Sequence, residues 1–383
     1  MLISARRSKC LSEFQKCDLD GLLFASGANF QYLTETTSYF WQRNCFNLQA
    51  PVAGSHIIPE CLVYMNKKGE TTILTIPSKK DCFDTTINDV VVSYMDQFED
   101  ELLHIVDGKK IGIGRDCDEW IIRTLEVVDP EITTVNVETI FDQIRLIKDA
   151  KEIEQMRKLA KFTDDAVMYV VKNLKEGMTM FEAERAIIDY GLTHGIQDLS
   201  FPPTCGFKTR NTENAKNIEP FEPERKLVPG TMIVFDIGFM DQGYCSDWGR
   251  TVYYGKAPDL VKNGYKALQE AQCYMIENIK PGVTRFGDLY DFICDKAEEL
   301  CFYDYLRFKR ESGGSGHHIG TDVHEVPWMK ADCDLILQPG MIFCSEPKMF
   351  FPNEGYMRVE DMILITEDGA ESLTKFPRDL FEI

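Results

Sequence analysis

Half of the chain's histidines fall in one short run. The segment GHHIGTDVHEVP, Gly316 to Pro327, carries His317, His318 and His324, and only six histidines occur in 383 residues. Imidazoles suit metal ligation or proton transfer near neutral pH. Four acids stand on strand-like segments: Asp236 and Asp247 in FDIGFMDQGYCSD, Glu346 in MIFCSEP and Glu360 in YMRVEDMILIT. A carboxylate in an otherwise apolar strand is costly unless something compensates it.

Spacing brings these groups together. A hairpin folded between Asp241 and Gln242, beside Gly243, sets Asp236 directly opposite Asp247, with Cβ atoms about 5 Å apart. Two bare carboxylates at that separation repel, and one takes up a proton. A pair of divalent cations accepts both instead. Further along, strand alternation puts Arg358 and Glu360 on one face and Met357, Val359 and Asp361 on the other. Arg358 there would orient the glutamate and balance its charge. One imidazole completes five ligands. Oxygen-dominated ligation with one nitrogen suits Mn, Fe(II), Co or Zn without choosing among them. Cys245 and Cys344 stand two residues before Asp247 and Glu346. Core packing is the first reading of both thiols, soft ligation the second.

An internal repeat supplies the elements that position these residues. LKEGMTMFEAERAIIDYG at 174–191 matches IKPGVTRFGDLYDFICDK at 279–296. Thr179 and Thr284 are expected to cap the helices that follow. Each copy then reaches a Pro-Gly turn and an apolar strand, VPGTMIVFDIG and QPGMIFCSEP. Asp236 stands six residues after Gly230, and Glu346 six after Gly340. Two related halves, each aiming an acid inward, describe a pseudo-two-fold α+β domain with a charged centre.

Upstream, alternating patterns read as an α/β domain. DGLLFAS and KKIGIGR are short buried strands, ECLVYMNKKGETTILTIP a hairpin turning at Lys67-Lys68-Gly69, and QFEDELLHIV an amphipathic helix. No Gly-rich phosphate loop follows any strand. A long helix with Ile153, Met156, Ala160, Thr163, Val167 and Val170 near the 3.6 period opens the second domain. The boundary falls between residues 1–145 and 146–383.

Composition narrows the partners. The formal net charge of -20 argues against nucleic acid and anionic membranes, which need clustered Lys and Arg. Thirteen cysteines, an odd number with no Cys-x-x-Cys pair, describe neither a disulfide framework nor a zinc ribbon. No stretch approaches the roughly 20 apolar residues of a membrane span. The segment MLISARRSKCLSEFQKCD turns charged before an apolar run develops, so no signal peptide is read there. The cytoplasm is the expected compartment.

The series FDIGFMDQGYCSDWGRT, GHHIGTDVHE, MIFCSEP and MRVEDMILIT resembles the pita-bread metallohydrolases, which include Xaa-Pro aminopeptidase, prolidase, methionine aminopeptidase and the metal-free creatinase. The resemblance covers roughly residues 150–375. The N-terminal part, including SGANFQYLT, resembles the creatinase/prolidase N-domain more loosely. The resemblance implies a pita-bread catalytic domain with two divalent metal ions, manganese first and cobalt, zinc or iron as alternatives. It implies that Asp236 chelates one metal, that Asp247 and Glu360 bridge the two, and that His317 ligates the other. Glu346 would be ligand and general base, and His324 a substrate contact rather than a ligand. It further implies a homodimer and peptide substrates.

Three departures from the family pattern stand out. Asn217 occupies the place of a substrate-facing histidine; an amide hydrogen-bonds but takes no proton near neutral pH. Trp328 occupies the place where one type of prolidase holds the substrate carboxylate with arginine. Indole cannot make that bidentate contact; it stacks on a ring, faces a cation or lines the pocket. His318 stands where glycine is usual and Gly249 where threonine is usual, an exchange read as steric compensation. The aromatic segment TSYFWQRNCF at 37–46 is either a core or interface cluster or a reach into a neighbouring subunit's site.

The function these residues and this resemblance imply is hydrolysis of the bond between an N-terminal residue and proline, by an Xaa-Pro aminopeptidase or dipeptidase. A hydrolase or lyase of a small non-peptide metabolite is the second reading, favoured by Asn217 and Trp328. A catalytically silent binding protein is the third, and the intact ligand set opposes it.

Overall fold

The computed structural model describes residues 4–41, 51–52, 56–57, 59–94, 97–216, 222–314 and 316–383. The chain divides into two compact units, Met1–Arg145 and Leu146–Ile383.

The first unit is built on a six-stranded mixed sheet. Its central strand, Gly21–Ala25, runs antiparallel to Cys61–Asn66 and parallel to Lys110–Ile113. Cys61–Asn66 turns back into Thr71–Thr75, and Gly69 makes that turn at φ 79°. The strand and hairpin readings hold here, and QFEDELLHIV forms the helix Phe98–Ile105. Buried side chains cover both faces: Phe24, Val63 and Phe141 on one, Leu23, Leu62 and Leu102 on the other. Of the aromatic segment 37–46, Tyr39 is core, packed against Phe30 and Phe83. Residues 42–46 lie outside the described residues.

The second unit carries the repeat in three dimensions. Its first half runs through the helices Ala150–Asn173 and Met180–Thr193 into a sheet ordered Thr204–Thr209, Thr231–Ile237, Trp248–Tyr254, Phe381–Glu382. Its second half runs through Asp259–Asn278 and Leu289–Glu299 into a sheet ordered Glu325–Trp328, Gly316–His318, Ile342–Ser345, Asp361–Ile365, Ala370–Ser372. The two Pro-Gly turns are conformationally alike, with Gly230 and Gly340 both at φ 88°. That left-handed region suits glycine.

The strand Thr231–Ile237 is covered on both faces. Met232 and Val234 join one core with Leu268, Met275 and Phe343, while Ile233, Phe235 and Ile237 join another with Val167 and Ile187. Asp236 therefore follows the parity of Met232 and Val234 and leaves the apolar core only at the strand's end.

Two local expectations are corrected. Thr179 caps its helix in a reciprocal box with Glu182, but Thr284 caps none. A 3-10 turn, Phe286–Asp288, intervenes before Leu289–Glu299, and the Thr284 hydroxyl instead accepts from the Lys280 N–H at 2.9 Å. The hairpin register is also shifted. Asp241 pairs with Tyr244 and Asp236 with Gly249, so Asp236 and Asp247 are offset by two residues rather than opposed. The turn residues are Gln242 and Gly243, both at positive φ. Such a two-residue turn matches strand twist and centres the hairpin one residue later than expected.

Candidate active site

The irregular link between the hairpin strands places Asp247. Ser246 locks it: its hydroxyl accepts from the Phe239 N–H at 3.0 Å and meets the Thr163 hydroxyl at 2.8 Å. Trp248 anchors the other side, donating Nε1–H to Asp164 at 2.9 Å. Asp247 is thus buried between two fixed neighbours, and its Oδ1 has no hydrogen-bond partner.

His317 faces it from the second half. It pairs with Trp328 on one neighbouring strand and with Cys344 on the other, so these three side chains share a sheet face. The His317 Nδ1 lies 3.0 Å from the His318 carbonyl oxygen, which makes Nδ1 the donor. Nε2 then points at Asp247 Oδ2, 3.4 Å away. A lone pair facing a carboxylate is stable only with a proton or a cation between them.

One atom each of Asp247, His317, Cys344 and Glu360 lie within 4.8 Å of one another, all buried. Glu360 is held from behind by fully buried Arg250, which donates to its main-chain oxygen at 2.6 Å. Burial, then the nearby charges of Asp247 and Glu346, push Glu360 well above the usual carboxylate range. Burial likewise pushes Asp247 up to about 6, against the lowering contact from His317. Burial and then the charges of Asp247 and Glu360 hold the Cys344 thiol well above its ordinary value. Under-compensated buried acids, an orphaned carboxylate oxygen and an aimed imidazole form a donor set that fits a divalent cation.

The other two expected acids are already paired. Asp236 forms an ion pair with Arg358, whose guanidinium also lies 3.4 Å from Glu346 and 3.5 Å from Glu360. Arg358 thus touches three acids rather than the one expected. Glu346 is bonded to Lys348 as well. Burial alone would raise Glu346, but Lys348 and Arg358 outweigh it and hold the carboxylate below its ordinary value.

His324 stands edge-on to His317, ring centroids 4.5 Å apart, and Trp328 lies 5.3 Å from both rings. Burial, then His317, lowers His324, so it is neutral near pH 7. Its loop is pinned by Glu325, which accepts from the Thr321 N–H at 3.2 Å and pairs with Lys148 at 3.3 Å. Trp328 is 39% exposed and forms the open wall of the site. Asn217 lies outside the described residues.

His318 does not enter the site. It is fully buried on the opposite strand face, with Phe286 at 4.7 Å and Phe343 at 6.2 Å. Gly249 abuts the site instead: a Cβ there would lie 2.4 Å from Arg358 Cδ and 2.9 Å from Glu360 Oε2. The two exchanges therefore occupy different faces and cannot compensate each other sterically. Lys348, Arg250 and the Lys148–Glu325 pair were not identified from sequence. One signal was present for Lys348. A lysine opening the apolar run KMFF is costly to bury without a partner.

The fold is the pita-bread fold, and its donor set fits a divalent cation. Residues 154–367 match the model of metallopeptidase family M24, and the chain belongs to that family. Bacillus subtilis YkvY is 35% identical over 247 residues, which cover 64% of this chain and 65% of YkvY. The match thus spans just under two thirds of that relative's length. The Xaa-Pro dipeptidase of Pyrococcus horikoshii is 24% identical over 99% of both chains. The crystal structure of the prolidase from P. horikoshii OT3 superposes with a TM-score of 0.80 at 23% identity, covering 99% of this chain and all of that one. An Xaa-Pro dipeptidase from Bacillus anthracis gives 0.80 at 22% identity, covering 99% of each chain. Among the described residues no helix is long and apolar enough to cross a membrane.

Proposed function

We propose that this chain is a metal-dependent peptidase of Xaa-Pro type, hydrolysing the bond between an N-terminal residue and proline. The observation that carries the reading is the buried donor set of Asp247, His317 and Glu360 flanked by Asp236 and Glu346. Those five residues would hold two divalent cations. When bound, such cations lower the pKa of a water and polarise the scissile carbonyl.

The remaining tasks fall to this chain's side chains. Lys348 and Arg358 keep Glu346 ionised, so it takes a proton from the attacking water and returns it to the leaving proline nitrogen. Neutral His324 donates an N–H to the substrate carbonyl oxygen as charge develops there. Trp328 offers its exposed face to the pyrrolidine ring. The name of the P. horikoshii relative supports the proline preference.

The testing experiment is hydrolysis of Xaa-Pro dipeptides beside Xaa-Pro-Yaa tripeptides, with Mn, Co and Zn each supplied to chelator-treated protein. Cleavage that needs an added cation and proline in the second position is expected. No cleavage of either set under any metal would sink the peptidase reading. One observation favours a second reading. Trp328 replaces a carboxylate-binding arginine while Lys348 adds a cation beside Glu346, a pairing that also suits a small aromatic or anionic metabolite.

A further inference from the structure

Cys344 belongs to the donor group on geometry alone. Its Sγ is one of the four atoms that lie within 4.8 Å of one another with Asp247, His317 and Glu360. It is fully buried and pairs directly with His317 across the sheet. Glu346 follows two residues on, just past the strand's end at Ser345, and the partner of Cys344 on the far side, Met362, stands two residues after Glu360. Cross-strand pairing therefore turns the thiol and the imidazole to one face, and Glu360 joins them in the donor group. Asp247, 3% exposed, supplies a carboxylate oxygen to the same group, and its Oδ1 has no hydrogen-bond partner. Cys245, its counterpart in sequence, is outside this donor group. The pairing of Met240 with Cys245 ends a short hairpin before the strand of Trp248 begins.

We propose that Cys344 is a sulfur ligand of this centre and biases it toward thiophilic divalent cations such as Zn, Co and Cd over Mn. The proposal rests on reading the centre as a metal site and adds the chemical class of the cation. Thiolate sulfur selects softer metals, whereas carboxylates and imidazole alone leave the choice open. On coordination the S–H bond breaks, its proton leaves to solvent, and a sulfur lone pair binds the cation. No electron changes hands, so neither oxidant nor reductant is required.

The test is anaerobic titration of the chelator-treated full chain with Co(II), followed by absorption. Visible ligand-field bands report that the site is loaded; a near-ultraviolet sulfur-to-cobalt charge-transfer band reports sulfur ligation. Both are expected in the wild type. Cys344→Ala should keep the ligand-field bands and lose the charge-transfer band, and Cys245→Ala should keep both. Calorimetry should then find Cd(II) affinity reduced on the order of tenfold in Cys344→Ala with Mn(II) affinity unchanged. Ligand-field bands without charge transfer in the wild type would overturn the proposal and leave the metal reading standing. So would a charge-transfer band that survives in Cys344→Ala. Failure to bind cobalt at all would overturn both.

Discussion

Glu360 and Asp361 are adjacent acids, 1% and 0% exposed, with opposite electrostatic fates. Asp361 is gripped by Arg250 and by Arg378 at 2.6 Å. Burial would raise it, but those two guanidiniums carry it below its ordinary value. The Glu360 carboxylate meets a single guanidinium at 3.5 Å and the charges of three more acids, Asp247, Glu346 and Asp236. Alternation sends the neighbours to opposite faces of one strand. On one face the charge is closed off by matched partners. On the other it is left short of positive charge, and that shortage marks a place built for a cation.

The largest effect should fall on the closed side. Asp361→Asn leaves Arg250 buried without its partner and should cost about 3–5 kcal/mol in denaturant unfolding. In metal-free protein Glu360→Gln should cost less than Asp361→Asn, because burial and the neighbouring acids already penalise the Glu360 charge. Equal losses in the two variants would erase the distinction. Next, Glu346→Gln should lower kcat by about 10²- to 10⁴-fold. Retained metal content, read by elemental analysis, would separate that loss from an empty site.

A pH experiment sharpens the contrast. Asp247 rises from 3.8 to about 6 on folding. Between those values the folded chain holds a proton that the unfolded chain releases, so its contribution falls as pH rises. Asp361 runs the other way: its contribution is full above 3.8 and lost as pH falls through its lowered folded value. In chelated protein the stability difference between wild type and Asp247→Asn should decline from pH 3.8 to about 6. The slope should be at most about 1.4 kcal/mol per pH unit. Saturating cation should remove the slope; a flat difference without cation would contradict the assignment. The smallest effect concerns substrate. Trp328→Arg should shift kcat/KM toward dipeptides over tripeptides about tenfold, the worth of a hydrogen bond to a charged group.

Much of this was legible in residue order because the signals are local. The paired Pro-Gly turns, the acid six residues after each, and the alternation around Arg358 need only strand periodicity. The hairpin register differs from the expected one because Gln242 takes a positive φ that its residue type does not announce, whereas Gly243 signals the turn. Arg250 was invisible for a different reason. A buried guanidinium is recognised by its partners, and those lie 110 and 111 residues away. Lys348 and Cys344 sit on the short apolar strands that flank Glu346, where their types alone do not tell packing from chemistry.

Gly249 bears on how this protein can be altered. Family resemblance would nominate threonine there, and a consensus-guided redesign would install it early. In this chain the added carbon would drive into Arg358 and Glu360. Position 249 and the guanidinium opposite are therefore a coupled pair, and any mutational library must vary them together to find working combinations.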